Sequence, residues 1–168
     1  MREIRLFGDP ILRANGTDVP RETIPSYTAL VNEMFDIMYK AEGIGLAAQQ
    51  IGLTDRITVI DTRDSGQKVF INPVIIKHSD EMSVMEEGCL SFPNIRADIT
   101  RPKRIELEYY DLTGTKIHCT LDDLLARVVQ HEIDHLNGIL FIDHMSPVKR
   151  MLLKKKLEKI KERQRKTS

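Results

Sequence analysis

The sequence predicts an α+β domain, because its β-rich runs are grouped before a central helix and helical segments stand at both ends. Two periodicities carry this prediction. Apolar and polar residues alternate through the strands, and the spacing then changes to one near 3.6. No repeat, low-complexity tract or long Gly/Ser/Pro linker divides the chain, so residues 1–168 are expected to form one domain.

The elements follow in order. Residues 25–40 carry Leu30, Met34, Ile37 and Met38, a helical stripe that continues to Ala41 and stops at Gly43. "RITVIDT" and "KVFINPVII" are β-rich and separated by "RDSGQ", which predicts paired strands. "RIELEYY" and "TKIHCTL" alternate on either side of "DLTG" and predict a hairpin. Thr120 with Asp123 forms a capping-box pattern, and Leu121, Leu124, Leu125 and Val128 supply an apolar face. A helix of about 17 residues should therefore end at Asn137–Gly138. Ser146–Pro147 starts a last helix, with Ser as cap, spanning residues 147–165 with apolar positions at Leu153, Leu157 and Ile160.

Charge is unevenly distributed. From Lys149 to Ser168 there are ten Lys/Arg and two Glu, a net of +8. Residues 1–148 carry 15 cationic and 23 acidic groups, a net of −8. A basic tail on an acidic body suits contact with a polyanion, and a solvated, solubilising helix would give the same pattern. No apolar run approaches the roughly 20 residues of a membrane span, so no membrane partner is expected. "MREIRLFGDP" has charges where a secretory signal would be apolar, and two cysteines are too few for a disulfide framework. A reducing cytoplasm is the expected setting.

"HEIDH" puts His131 and His135 four residues apart, so both rings stack on one helix face and can reach one metal ion. Glu132 is turned about 100° from them, outside the ligand positions yet near a water at the metal. Burying these polar groups together without a partner would be costly, which favours a metal over an accidental pattern. A catalytic site needs a third ligand and an open position. The continuation HxxGxxH fails, because Phe141 stands where the next histidine would be. Glu158 and Glu162 lie among lysines, and His144 is expected at the surface. His118 and Cys119 are strand neighbours that face opposite sides. Cys89 in "EEGCLSFP" remains, on irregular backbone after Gly88, although a lone cysteine is often only a small buried hydrophobe.

Taken together, "GIGLAAQQ", "EGCLS" and "HEIDHLNG" resemble the three motifs of bacterial peptide deformylases in order and spacing, over nearly the whole chain. The resemblance implies mixed or antiparallel strands around a central HExxH helix. It also implies removal of the formyl group from N-terminal formyl-methionine of nascent peptides. It assigns Cys89, His131 and His135 to one divalent metal, usually Fe2+, with Zn2+, Ni2+ or Co2+ as possible occupants. It makes Glu132 the general base, with the Gln50 side chain and the Leu90 N–H as oxyanion donors. Ile44, Gly45 and Gly88 would lie beside the substrate backbone. Val128, and with it Leu124, would line the methionine pocket, positions that ordinary core packing also explains. Family members are thought to visit the ribosome through the basic last helix. Two rival readings stay open on the residues: an HExxH peptidase in which Cys89 is dispensable, and a non-enzymatic metal module needing a fourth protein ligand.

Overall fold

The short strand Ile57–Ile60 is buried on both faces, and the layers of the molecule are arranged around it. The computed structural model describes residues 1–167. Strands β1 (Gly45–Ala47), β2 (Ile57–Ile60), β3 (Lys68–His78), β6 (Arg104–Tyr110) and β7 (Lys116–Asp122) form an antiparallel sheet in that order. The remaining strands, β4 (Met82–Gly88) and β5 (Arg96–Pro102), pair with each other as a separate antiparallel ribbon.

Three helices cover these sheets. Helix α1 (Thr28–Lys40) buries Val31, Met34, Phe35, Ile37 and Met38 against Leu46, Ile57, Val59 and Ile71. Helix α2 (Asp123–Leu136) packs Ala126, Val128, Val129 and Ile133 against Ile60, Phe70, Ile105 and Leu107. Since strand side chains alternate, β2 serves both helices: Ile57 and Val59 face α1, and Ile60 faces α2. Helix α3 (Pro147–Thr167) brings Leu157 and Ile160 to a third cluster with Leu12, Phe92, Ile99 and Phe141.

The predicted strand pair and the β6–β7 hairpin are present, and Asn137 with Gly138 (φ +70°) ends α2 as expected. Three boundaries differ. The segment Arg21–Tyr27 is a 3-10 helix containing Pro25, and the α-helix begins only at Thr28. Thr120 is no helix cap: Thr120, Leu121 and Asp122 pair with Glu106, Ile105 and Arg104, so strand pairing holds them extended and α2 has 14 residues. The turn is made at Asp123, whose φ is +51°. The last helix runs two residues further than expected, to Thr167. The β4–β5 ribbon is an addition that the periodicity of residues 82–102 did not reveal.

The chain ends meet across the molecule. Gln164 of α3 is buried; its Oε1 accepts from the Leu6 N–H at 2.7 Å and its Nε2 donates to Asp9 Oδ2 at 3.1 Å. Docking thus extends beyond the apolar positions Leu153, Leu157 and Ile160. The N-terminal segment in turn donates from Arg5 N to Gln50 O and from Phe7 N to Ser91 O.

Leu107 is fully buried between β6 and α2. Leu107→Ala should destabilise the chain by about 2–5 kcal/mol. Urea unfolding should show this as a lower midpoint at unchanged slope.

Candidate active site

Gly45 is the point where the sheet admits the helix. It sits on β1 paired with Ile60, and a Cβ there would collide with Glu132 Oε1 and come within 3.0 Å of Val128 Cγ1. Gly43 is equally constrained, since a Cβ would lie 2.7 Å from Leu90 Cδ1. These two glycines let the segment around Ile44 run close to α2 and to the loop after β4.

Cys89 leaves the end of β4 on irregular backbone, as expected. Its Sγ lies 3.3 Å from His135 Nε2, and the ligand atoms of Cys89, His131 and His135 all fall within 4.8 Å of one another. Glu87, two residues earlier, accepts from His131 Nδ1 at 2.8 Å, which leaves Nε2 as the ring nitrogen turned to Cys89. Burial pushes His135 well below the usual histidine range and keeps it neutral, the form that ligates metal. Burial opposes charge on His131 as well, but hydrogen bonds to Cys89 and Glu87 outweigh it and draw positive charge to that ring. One sulfur and two imidazole nitrogens, with a carboxylate behind one of them, could hold a single divalent transition metal.

Glu132 is 4% exposed, and no protein group meets its Oε2 among the described residues. Burial pushes its pKa up to about 7, with His131 opposing and Glu87 adding to the rise. A carboxyl poised there can both take and return a proton near neutral pH. Gln50 is fixed at both ends of its amide. Its Oε1 accepts from Ala47 N at 2.9 Å, so its Nε2 faces Cys89 Sγ at 3.4 Å and Ser91 Oγ at 3.2 Å.

A cavity of about 1010 Å³ opens over this centre. Cys89, His131, Glu132 and Gln50 form its floor, and His135 lies behind them at 1% exposure. Ile44, Gly45, Gly88, Leu90, Val128 and Leu124 line its walls, so every residue singled out for substrate contact borders one space. Phe141 fills the position where a third histidine was sought. It packs its ring 5.9 Å from that of His131 and 5.1 Å from that of Phe92, an apolar wall. His118 pairs with Glu106 on the outer face of the hairpin, and Cys119 packs towards α2, on opposite sides as expected.

Glu87 had no role assigned from sequence, and its partners Arg101 and Arg127 were not singled out at all. Arg101 Nε and Nη2 hold its two oxygens at 2.7 and 3.0 Å, and Arg127 Nη1 adds a bond of 2.7 Å. Burial would raise the Glu87 pKa, but the bonds from His131 and Arg101 prevail and keep its carboxyl well below the usual carboxylate range. Its place in "EGCLS" was the only available signal.

An HExxH helix facing a cysteine loop in an α+β fold has the make-up of a single-metal hydrolase. A sequence model described as polypeptide deformylase matches residues 1–151. The peptide deformylase of Thermotoga petrophila is 45% identical over 157 residues, covering 94% of each chain, and that of Brucella suis is 42% identical over 164. A crystal structure of a plant peptide deformylase superposes with a TM-score of 0.93 at 37% identity, covering 99% of this chain and 92% of that one. The Thermus thermophilus enzyme gives 0.90 at 36% identity, covering 98% and 99%. The chain belongs to the peptide deformylase family.

Glu87→Ala would leave Arg101 and Arg127 buried without their carboxylate. The variant should lose about 3–5 kcal/mol of stability in urea titration.

Proposed function

We infer that this chain is a hydrolase that removes the formyl group from the N-terminal methionine of newly made polypeptides, with residues 1–168 acting as one catalytic domain. One observation carries the assignment of residues: Cys89, from the loop after β4, meets His131 and His135 of α2. That convergence favours a catalytic cysteine ligand over a peptidase in which Cys89 is dispensable. Among the described residues the group has three ligands, which suits an open catalytic position better than a closed structural site.

Cys89, His131 and His135 would hold the ion. Thiolate and imidazole donors suit ferrous iron, our first choice, and admit zinc, nickel or cobalt. When bound, the metal supplies Lewis acidity at the formyl group and to water. Glu132 takes the proton of the attacking water and returns it to the methionine nitrogen as the C–N bond breaks, so formate and a free amine leave. Gln50 Nε2 and the Leu90 N–H donate to the formyl oxygen as it gains charge. Each such donor is worth about 3–4 kcal/mol of barrier. The backbone at Ile44, Gly45 and Gly88 aligns the peptide, and Val128 with Leu124 receives the methionine side chain.

The setting proposed is the cytoplasm, which suits two free thiols. No helix among the described residues is long and apolar enough to cross a membrane. Ribosome contact is assigned to α3, whose Lys155, Lys159, Arg163 and Lys166 are exposed on the side away from Leu157 and Ile160.

Two variants test the centre. Cys89→Ala should lose metal and formyl-peptide turnover together, because two helix histidines alone make a weak site. Glu132→Gln should retain metal and lose most turnover, since shape is kept and the base removed. Metal analysis beside a formate-release assay reads both, and near-normal turnover by Glu132→Gln would sink the mechanism. For the ribosome, cutting the tail would also remove Gln164, so charge removal is the cleaner change. Replacing Lys155, Lys159, Arg163 and Lys166 by Gln should weaken ribosome binding and flatten its salt dependence. Activity on short formyl peptides should be retained, and unchanged salt-sensitive binding would refute the role of α3.

A further inference from the structure

His144 is the outer end of a hydrogen-bonded chain that leads inward to His131. A carboxylate can only accept, so His144 Nε2–H donates to Asp134 Oδ2, 2.8 Å away. The same oxygen accepts from Arg101 Nη1 at 2.8 Å. Arg101 turns its other two nitrogens on the two oxygens of Glu87, and Glu87 Oε1 accepts from His131 Nδ1. The inner members are closed to water: Arg101 is 4%, Glu87 6% and His131 8% exposed. The outer link is wet, with 35% of the His144 side chain and 17% of that of Asp134 accessible.

That gradient makes the outer link the adjustable one. Glu87 is gripped from three directions, so its oxygens shift only when one of those partners shifts. Asp134 stands on the half-buried flank of α2, where a carboxylate can rotate into solvent. His144 holds the one oxygen of Asp134 that Arg101 also uses. If that oxygen swings away, Arg101 keeps only Glu87 as an anionic partner, and its guanidinium is free to pivot. The pivot moves the Glu87 oxygen that orients the His131 ring. Outer partners of metal-binding histidines set ring orientation and ligand basicity in this way.

We propose that His144 is a positioning residue for the metal centre, acting through Asp134, Arg101 and Glu87 on His131. The proposal rests on the reading that Cys89, His131 and His135 hold a metal. The bland alternative is that His144 only closes the 3-10 turn Phe141–His144 and steadies the local fold.

The test compares His144→Phe, which keeps a ring and removes the donor, with His144→Gln, which restores an N–H near the Nε2 position. Full-length wild type, both variants and Cys89→Ala are stripped of metal, and the Kd for Co2+ is measured against a chromogenic chelator. Unfolding midpoints of the metal-free chains are recorded alongside. The expected result is about tenfold weaker cobalt binding by His144→Phe, the low end for an outer partner. His144→Gln should return close to wild-type affinity, with metal-free midpoints equal in all three. Wild-type affinity in His144→Phe overturns the proposal, as does a His144→Gln variant no better than Phe. A weakened His144→Phe whose metal-free midpoint also falls reports a structural role and overturns it too. The underlying metal reading fails separately, if wild type takes up no cobalt or Cys89→Ala takes it up undiminished.

Discussion

A carboxylate with every lone pair engaged, Glu87, is the constraint on which the rest of this structure depends. Its four charge-assisted bonds come from Arg101, Arg127 and His131, so a single side chain joins β4, β5 and α2. Desolvating three charged side chains is expensive, and most of the remaining donors offset it by finding acceptors, Arg127 Nε being the exception. Arg127, for example, also bonds to Ile99 O and Ser83 O. Only two peptide units separate Glu87 from Cys89. Fixing the carboxylate against α2 therefore carries the thiol to the histidines, on a loop that secondary structure alone would leave free.

The opposite wall of the site is shaped by absence of bulk. Gly45 on β1 lies so close to Glu132 that a methyl group would displace the carboxylate. That approach brings Glu132 Oε1 against the sheet, and burial of the carboxyl raises its proton affinity. The same close packing turns Gln50 into a fixed donor, because its amide oxygen is already committed to Ala47 N. Electrostatics places the Cys89 side of the cleft, and steric closeness places the Glu132 side.

How much of this could be read beforehand depended on whether the signal was local. Helix spacing alone placed His131, Glu132 and His135 on neighbouring faces, and elimination left Cys89 as the remaining candidate for a third ligand, a role that only the family resemblance assigned. The β6–β7 hairpin was legible because alternation and turn chemistry are both local. The start of α2 was not, since Thr120 with Asp123 carries a capping pattern but Thr120–Asp122 are claimed by pairing with β6, a tertiary term that overrides propensity. Arg101 and Arg127 escaped notice because Arg is usually exposed, and nothing in their neighbourhoods betrays a shared partner 14 and 40 residues away. Gln164 was overlooked for a similar reason: a polar residue on an apolar stripe reads as the end of docking, whereas its amide is what clasps the N-terminal segment.

That clasp spans a sequence separation of 158 residues. The segment it holds is also the one that stitches the backbone of Gln50 to that of Ser91, so both motif loops are tied down through it. Contacts so distant along the chain form late, after the loops they close have been ordered. During synthesis, then, the Leu6 segment must wait for Gln164 before that clasp can close over both motif loops.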